Sequence, residues 1–328
     1  MQHPTLLKKT LLIATLGISN ILLLAGCGRN NSKSTGGKDD LSGTITISGA
    51  FALYPITVKW SEEFKKLHPD VRFNISAGGA GKGIADALGG LVDIGLASRE
   101  IHEEELKKGA YTVFVTKDAV IPTFNDKNPN TAQILQRGLK KEEFENIFVS
   151  NKITDWKQIS GLPNAAAIHA YTRSDAAGAA DTWASYFGKK QEDLKGIGVF
   201  GDPGLVQAVK NDPSAIGFNN ISYLYDLKSR QQVAGIKAVP IDVNGNGKID
   251  ADEDFYKTVD ALTEAIAHGK YPSPPARNLG FLFKGKPAKK ELIEFVKYVL
   301  TDGQKFVTEN GYIGLSKDVI ASELKKVQ

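Results

Sequence analysis

Three successive strand–turn–helix patterns between Thr44 and Glu100 restrict the folds that this chain can adopt. Each pattern has an apolar β-like run, then a turn of small residues, then a helix-like segment. Such alternation predicts an α/β fold with mainly parallel sheets flanked by helices. Turns at helix N-termini leave backbone N–H groups unpaired, and these groups bind anions. The three patterns therefore predict a cleft that holds a small solute.

The same alternation continues to the C-terminus. The helix predicted over Lys289–Leu300, for example, places Leu292, Phe295, Val296 and Val299 on one face. Apolar strands near residues 120 and 280 would suit two crossings between lobes. The chain is long enough to give each of two lobes its own hydrophobic core.

The first 27 residues read as a targeting signal rather than as part of the fold. Lys8 and Lys9 precede the apolar stretch Thr10–Leu24, and Leu24-Ala25-Gly26-Cys27 then resembles the lipobox of bacterial lipoproteins. We predict a signal peptide over 1–26, lipidation of Cys27 and a flexible tether over 27–42. An ordinary secretory signal and an uncleaved anchor are the alternatives.

Charge and cysteine content exclude several classes of protein. The formal net charge is +4, and removal of 1–26 with Lys8 and Lys9 leaves +2, which does not suggest a nucleic-acid-binding surface. Cys27 is the only cysteine, so no intrachain disulfide and no cysteine-based metal or catalytic site can form in the folded part. We expect a monomer that binds no nucleic acid.

Several short segments, in this order along the chain, are shared with one family. They are Ile147-Phe148 with Asn151-Lys152-Ile153-Thr154-Asp155-Trp156, Ala215-Ile216-Gly217-Phe218, and Gly303-Gln304-Lys305-Phe306-Val307 with Gly311-Tyr312-Ile313. Over about residues 43–317 the chain resembles the substrate-binding proteins of phosphate ABC transporters, which have the type II periplasmic-binding fold. The resemblance implies two lobes, 43–123 plus 278–328 and 124–277, joined by crossing strands and closing on a ligand.

The resemblance also implies where the ligand binds. The family holds an oxyanion with backbone amides and hydroxyls at small-residue turns, together with an arginine and often an aspartate. Carried over position by position, the candidate ligand-binding residues are Ser48, Ala50, Phe51, Gly81, Lys82, Ser98, Arg99, Arg173 and Asp175.

This chain departs from the family pattern at the turns. Ala50, Ala52 and Ala80 stand where hydroxyl residues are usual, and each lost hydrogen bond to a charged oxyanion costs about 1.5–3 kcal/mol. Three cations, Lys82 among them, still favour an anion, because arginine grips two oxygens in a fork. Phosphate is the family's usual ligand. A larger anion (an organophosphate, phosphonate or carboxylate) that stacks on Phe51 is the alternative.

Each charged candidate also has a purely structural explanation. Arg99 can form a salt bridge with Glu103 one helical turn further on. Arg173 and Asp175 can form a surface pair, and Lys82 can simply be solvated.

A second site is predicted in the segment 242–253, which fits the twelve-residue calcium loop of an EF-hand. The expected ligands are Asp242, Asn244, Asn246, Asp250 and Glu253 with the backbone carbonyl of Lys248, and Gly247 occupies the turn position. The flanks differ from a paired EF-hand, because the preceding segment Val239-Pro240-Ile241 is extended. We therefore expect a structural Ca²⁺.

These features together predict an extracytoplasmic, membrane-anchored lipoprotein that captures a small anion for the permease and ATPase of an ABC importer. A ligand-sensing surface lipoprotein of the same fold is the alternative, because fold does not decide function. We expect no enzyme, because the five histidines are scattered and no nucleophile elbow, phosphate-binding loop or paired-carboxylate site stands out.

Overall fold

The computed structural model of the protein describes residues 41–328. The predicted signal peptide, the predicted lipidation site at Cys27 and the tether as far as residue 40 lie outside the described residues. Among the helices of residues 41–328, none is both long and apolar enough to cross a membrane.

Strands and α-helices alternate along the described residues, which confirms the predicted α/β class. The strands are β1 (Gly43–Gly49), β2 (Val71–Ala77), β3 (Ile94–Ala97), β4 (Ala110–Asn125), β5 (His169–Arg173), β6 (Ile197–Val199), β7 (Ala215–Asn220), β8 (Ile236–Ala238) and β9 (Ala276–Lys284). The helices are α1 (Tyr54–Leu67), α2 (Ala80–Leu88), α3 (Glu103–Lys107), α4 (Thr131–Arg137), α5 (Lys141–Phe148), α6 (Gly178–Tyr186), α7 (Gly201–Asn211), α8 (Ile221–Leu224), α9 (Val259–Ala267), α10 (Lys290–Leu300) and α11 (Lys317–Lys325).

The strands form one continuous curled sheet in the order β2-β1-β3-β9-β4-β7-β5-β6, with β8 also paired to β4. Pairing is parallel between β1 and its neighbours β2 and β3, and between β5 and its neighbours β6 and β7. The central strands β4 and β9 run antiparallel to each other. The prediction of parallel pairing is therefore confirmed for the outer strands, and the centre of the sheet is antiparallel.

Two hydrophobic cores lie on either side of this centre. One core takes its residues from 41–115 and 279–327, and the other takes them from 119–276 together with Ile313. We call the two parts lobe 1 and lobe 2. Strand β4 contributes Val113 and Val115 to the first core and Ala119 and Val120 to the second, so this strand passes from one lobe to the other. The crossing strands are confirmed, and β4 is the longest strand described, at 16 residues.

Helix α1 shows how lobe 1 supports a turn at the edge of its sheet. Pro55 lies in the first helical turn, where its missing N–H costs nothing. Ile56, Trp60 and Phe64 repeat at four-residue spacing and are fully buried against the core. The N–H group of Leu53 donates to the carbonyl of Ala50 at 3.1 Å. The core thus holds both the helix and the turn before it.

We predict that Trp183→Ala in α6 lowers the free energy of unfolding by about 3–5 kcal/mol. The indole is fully buried, and its ring packs against Phe144, Phe148 and Phe218 with centroid distances of 5.2, 5.7 and 5.9 Å. Urea denaturation measures the loss. The control Leu91→Ala removes a 75% exposed side chain and should change stability by less than about 0.5 kcal/mol. Similar losses in the two variants would contradict the packing described for lobe 2.

Candidate functional site

The three small-residue turns of lobe 1 lie side by side at the carboxyl ends of its parallel strands. Gly49, at the end of β1, is in register with Ala77 of β2 and with Leu96 of β3. Parallel strands end at one edge of a sheet, so the turns that follow them meet there. Helix α2 begins at Ala80, directly after Gly79, so part of the second turn is helical.

A turn of lobe 2, between β5 and α6, meets these turns directly. The N–H group of Gly81 donates to the carbonyl of Ala176 at 2.9 Å. A methyl group at Gly178 would lie 2.5 Å from the carbonyl oxygen of Ser98, so a larger residue does not fit at this contact. Ser98 itself is buried. The four turns thus form a closed cleft between the lobes.

Two of the candidate ligand-binding residues use their backbone N–H groups within the protein. Ala50 donates to the carbonyl of Leu96 at 3.0 Å, and Gly81 donates across the cleft as described above. In this closed arrangement neither N–H group is available to an anion. The prediction overlooked that the turns bond to each other and to the sheet before they can bond to a ligand.

Lys82 and Ser48 both interact with Asp86, one helical turn after Lys82 in α2. The ammonium group of Lys82 forms a short ion pair with the carboxylate, and the Ser48 hydroxyl donates to it at 2.6 Å. Burial opposes ionisation, but these two hydrogen bonds lower the pKa of Asp86. The Lys82 side chain remains 54% exposed, so it is both solvated, as the alternative held, and paired.

Arg99 forms a fork with Glu105, not with Glu103 as the structural alternative proposed. Its two terminal nitrogens donate to the Glu105 carboxylate at 2.8 and 2.7 Å, and one of them also donates to the carbonyl of Glu100 at 2.8 Å. The alternative failed because Glu105, in α3, also accepts the N–H of His102 at 2.8 Å, which holds it opposite Arg99.

Arg173 lies at the end of β5 with its side chain only 2% exposed. Its Nε and one terminal nitrogen donate to Asp175 at 2.9 and 2.7 Å, and the other terminal nitrogen donates to Asp202 at 2.6 Å. Burial opposes the charge of Arg173, but the two carboxylates outweigh it and raise its pKa. Arg173 and Asp175 are therefore a pair, but a buried one, and the surface-pair alternative is wrong.

A second buried group of polar residues adjoins this pair, and sequence reasoning did not find it. Asn220 donates to Asp202 at 2.7 Å and accepts a short hydrogen bond from Arg277 of β9. Arg277 also lies 3.5 Å from Asp118 of β4. These residues come from four separate parts of the chain and share no spacing pattern, so the sequence does not link them to one another.

The buried side chains of this region carry an excess of negative charge. Two guanidinium groups, Arg173 and Arg277, face three carboxylates, Asp118, Asp175 and Asp202, which leaves one formal negative charge when all are ionised. The three predicted cations, with their carboxylate partners, therefore do not make a positively charged pocket. Each of them has a carboxylate beside it, and for the largely buried Arg99 and Arg173 such pairing is required because an unpaired buried charge is costly.

The loop 242–253 is folded around its own acidic side chains. The Asp242 carboxylate accepts the N–H groups of Gly245 and Gly247, both at 2.8 Å, and the Glu253 carboxylate accepts that of Val243 at 2.9 Å. The side-chain amides of the two candidate asparagines donate to Asp250, at 3.0 Å from Asn244 and 2.7 Å from Asn246. The Lys248 ammonium also reaches Asp250 at 2.7 Å.

Within residues 41–328, no three His, Cys, Asp or Glu side chains are grouped so that they could hold a metal ion. A cavity of about 590 Å³ opens beside the loop, against Ile249, Pro240 and Tyr256. None of the candidate ligand-binding residues lines this cavity, so we do not assign the anion site to it.

Comparison with known proteins agrees with this fold. A family model described as a PBP superfamily domain matches residues 34–303. The phosphate-binding protein PstS of Bacillus subtilis is 27% identical over 315 residues, which cover 93% of this chain and 94% of that protein. PstS of Staphylococcus epidermidis is 27% identical over 97% of this chain and 93% of that protein.

Solved structures show the same likeness. A structure from Clostridium perfringens, described as a candidate phosphate ABC transporter substrate-binding protein with bound phosphate, has a TM-score of 0.68 and 25% identity, and covers 84% of this chain and 100% of that one. A phosphate transport receptor from Vibrio cholerae, at 23% identity and a TM-score of 0.61 over 83% of this chain and 100% of that one, shows the shared fold alone. These relatives are named as binding and transport proteins, in agreement with the expectation that the chain is not an enzyme.

We predict that the Asp118 carboxyl destabilises the fold as pH rises. Burial raises its pKa to about 6, although Arg277 opposes the shift, so the folded protein holds this proton more tightly than the unfolded chain does. Between about pH 4 and 6, the unfolding free energy of the protein should therefore fall relative to that of Asp118→Asn, by up to about 1.4 kcal/mol per pH unit. Denaturant titrations at several pH values measure this difference. Asp318→Asn, which removes an exposed carboxyl, is the control. The prediction is contradicted if the stability difference between the unaltered protein and Asp118→Asn changes with pH no more than the difference between the unaltered protein and Asp318→Asn.

Proposed function

The chain belongs to the PBP superfamily, and we propose that it is an extracytoplasmic solute-binding protein of an ABC importer that captures phosphate between its two lobes. The relatives support this proposal by their names and by the phosphate bound in one of them. An importer requires a permease and an ATPase as partners. Lobe 1 and lobe 2 would close together on the phosphate ion.

The way in which Arg173 is held is the observation that carries the proposal. A guanidinium group has five N–H donors in a fixed plane. Asp175 and Asp202 take up three of them, which fixes the plane of the group and leaves two donors unpaired. Two N–H donors of one guanidinium can bind two oxygens of a tetrahedral oxyanion.

The excess of carboxylates supports phosphate over sulfate. An ionised carboxylate repels a fully ionised anion, but it accepts a hydrogen bond from an anion that still carries a proton. Monohydrogen phosphate has that proton near neutral pH, and sulfate does not. Asp175 is our candidate acceptor, because it adjoins the turn of residues 79–81: a methyl group at Gly79 would lie 2.7 Å from its carboxylate.

We predict that phosphate binds with micromolar or better affinity and that Arg173→Lys weakens it by about 100-fold or more, because lysine loses the forked pair of hydrogen bonds. Calorimetry with phosphate and sulfate measures both affinities. Arg230→Lys is the matched control, since Arg230 pairs with Asp260 at the surface and should leave the affinity unchanged. Absence of heat with phosphate, or equal affinities in the two variants, would contradict the proposal.

We also propose that the protein is held at the membrane by a lipid on Cys27, with the tether of residues 27–42 between the anchor and the fold. The lipobox-like Leu24-Ala25-Gly26-Cys27 supports this proposal. Mass spectrometry of the protein from its native membrane tests it, because a lipidated Cys27 adds the mass of its acyl groups to the mature N-terminus.

We propose, finally, that the loop 242–253 binds Ca²⁺ as a structural site. The position of each oxygen donor in the sequence supports the proposal. The backbone at Gly247 has a positive φ of 84°, as the sharp turn of such a loop requires. The N–H of Ile249, which follows that turn, donates to the carbonyl of Gln136 at 2.8 Å, so the loop is fastened to the end of α4.

We predict that EDTA lowers the melting temperature by several degrees and leaves phosphate affinity unchanged, because bound Ca²⁺ would stabilise only the folded loop. Differential scanning calorimetry measures the shift. Glu253→Gln should abolish the response to Ca²⁺. Asp252→Asn should preserve it, because Asp252 is exposed and is not a ligand position. Identical melting curves in EDTA and in excess Ca²⁺ would rule out the site.

A further inference from the structure

The ring of Phe51, in the first turn of lobe 1, is inserted among residues of lobe 2. Its partners are Phe200, whose ring is edge-on at a centroid distance of 6.0 Å, and Arg173, whose guanidinium lies 5.4 Å from the ring centre. The hydroxyl of Tyr223 donates to the Phe51 carbonyl at 3.2 Å. With Gly201, these lobe 2 residues form what we call the Phe51 socket.

The backbone of Gly201 packs closely against the Phe51 ring. Gly201 has a positive φ of 70°, and a methyl group there would lie 3.0 Å from the Phe51 ring. The N–H of Gly201 donates to the Asp175 carboxylate at 3.1 Å. The socket is therefore tied to the same carboxylate that holds Arg173, and a movement of Phe51 disturbs both.

The outer wall of the socket is in solvent. Phe200 is 62% exposed although its ring pairs with Phe51. Other contacts between the lobes use backbone atoms, as at Gly81 with Ala176, or side chains, as at His102 with Asp181, which lie 3.8 Å apart. The Phe51–Phe200 pair has Arg173 on its inner side and solvent on its outer side. It therefore lies where a substituent on an anion held by Arg173 could reach solvent.

We propose that Phe51 and Phe200 form a gate that restricts the cleft to a small inorganic oxyanion and excludes phosphate monoesters. The inference rests on the proposed function, because it assumes that the anion is gripped by Arg173. In the closed protein the Arg173 guanidinium lies over the Phe51 ring. An ester group on this side of the guanidinium would have to displace the ring, and the protein would then lose both the cation–π contact and the aromatic pair.

The proposed gate gives Phe51 a different role from the one suggested by the sequence, in which a larger ligand stacks on its ring. A stacking platform needs a free face. Here Arg173 lies over the ring and the edge of Phe200 packs against it, so the ring is engaged by the protein itself. In the sequence Phe51 suggested a larger ligand, but in the structure its ring is occupied by protein contacts and would obstruct such a ligand.

Calorimetry with inorganic phosphate, phenyl phosphate and glycerol 3-phosphate tests the gate. We expect the unaltered protein to prefer phosphate over both esters by about 100-fold or more. Phe200→Ala should reduce that preference by about tenfold or more, mainly through tighter ester binding. Phe51→Ala should reduce it further, and Phe51→Leu should lie between the two.

Phe200→Ala keeps the test valid if Phe51→Ala does not fold, because Phe200 is largely exposed. Ile197→Ala is the matched control: it truncates another exposed apolar side chain, of β6, and should leave the preference unchanged. Ester binding by the unaltered protein as tight as phosphate binding overturns the gate alone, and so does an unchanged preference in Phe200→Ala. Failure of the unaltered protein to bind phosphate overturns the proposed function, and the gate with it.

Discussion

A buried guanidinium must be paired, and much of the cleft is arranged around the way in which Arg173 meets that requirement. Removing a charge from water costs several kcal/mol, and only opposite charge in good hydrogen-bonding geometry offsets that cost. Asp175, two residues after Arg173, accepts two hydrogen bonds from the guanidinium. Asp202, at the start of α7, accepts a third. This contact ties the start of α7, and with it Gly201 and the Phe51 socket, to Arg173.

The pairing extends to the strands that join the lobes. Asp202 is bonded to Asn220 at the end of β7, and Asn220 is bonded to Arg277 of β9, beside Asp118 of β4. The side chains that hold Arg173 are thus linked to the crossing strands by unbroken polar contacts. A change in the relative position of the lobes would alter the surroundings of these buried charges, so opening of the cleft and hydration of the network are physically coupled.

Much of the fold was readable from local pattern. The stripe of Leu292, Phe295, Val296 and Val299 indicated α10, which begins one residue after its predicted start and ends at its predicted end. The small-residue turns were also correctly placed at strand ends, because glycine and alanine punctuate a sequence in a recognisable way. The apolar strand predicted near residue 120 is also present, but only the structure shows that β4 has 16 residues and serves two cores in succession.

The candidate site was predicted in part, and the reason lies in the range of the interactions. Sequence alone determined the family, the turns that approach one another and the presence of Arg173 and Asp175, since these depend on neighbouring residues. Only the tertiary structure decided that Arg99 pairs with Glu105, that Asp202 and Arg277 belong to the cleft, and that Phe51 is enclosed by lobe 2. A buried charge or ring contacts whichever groups lie near it in the folded protein. Residues that are remote in the chain come together only when both lobes are folded and closed.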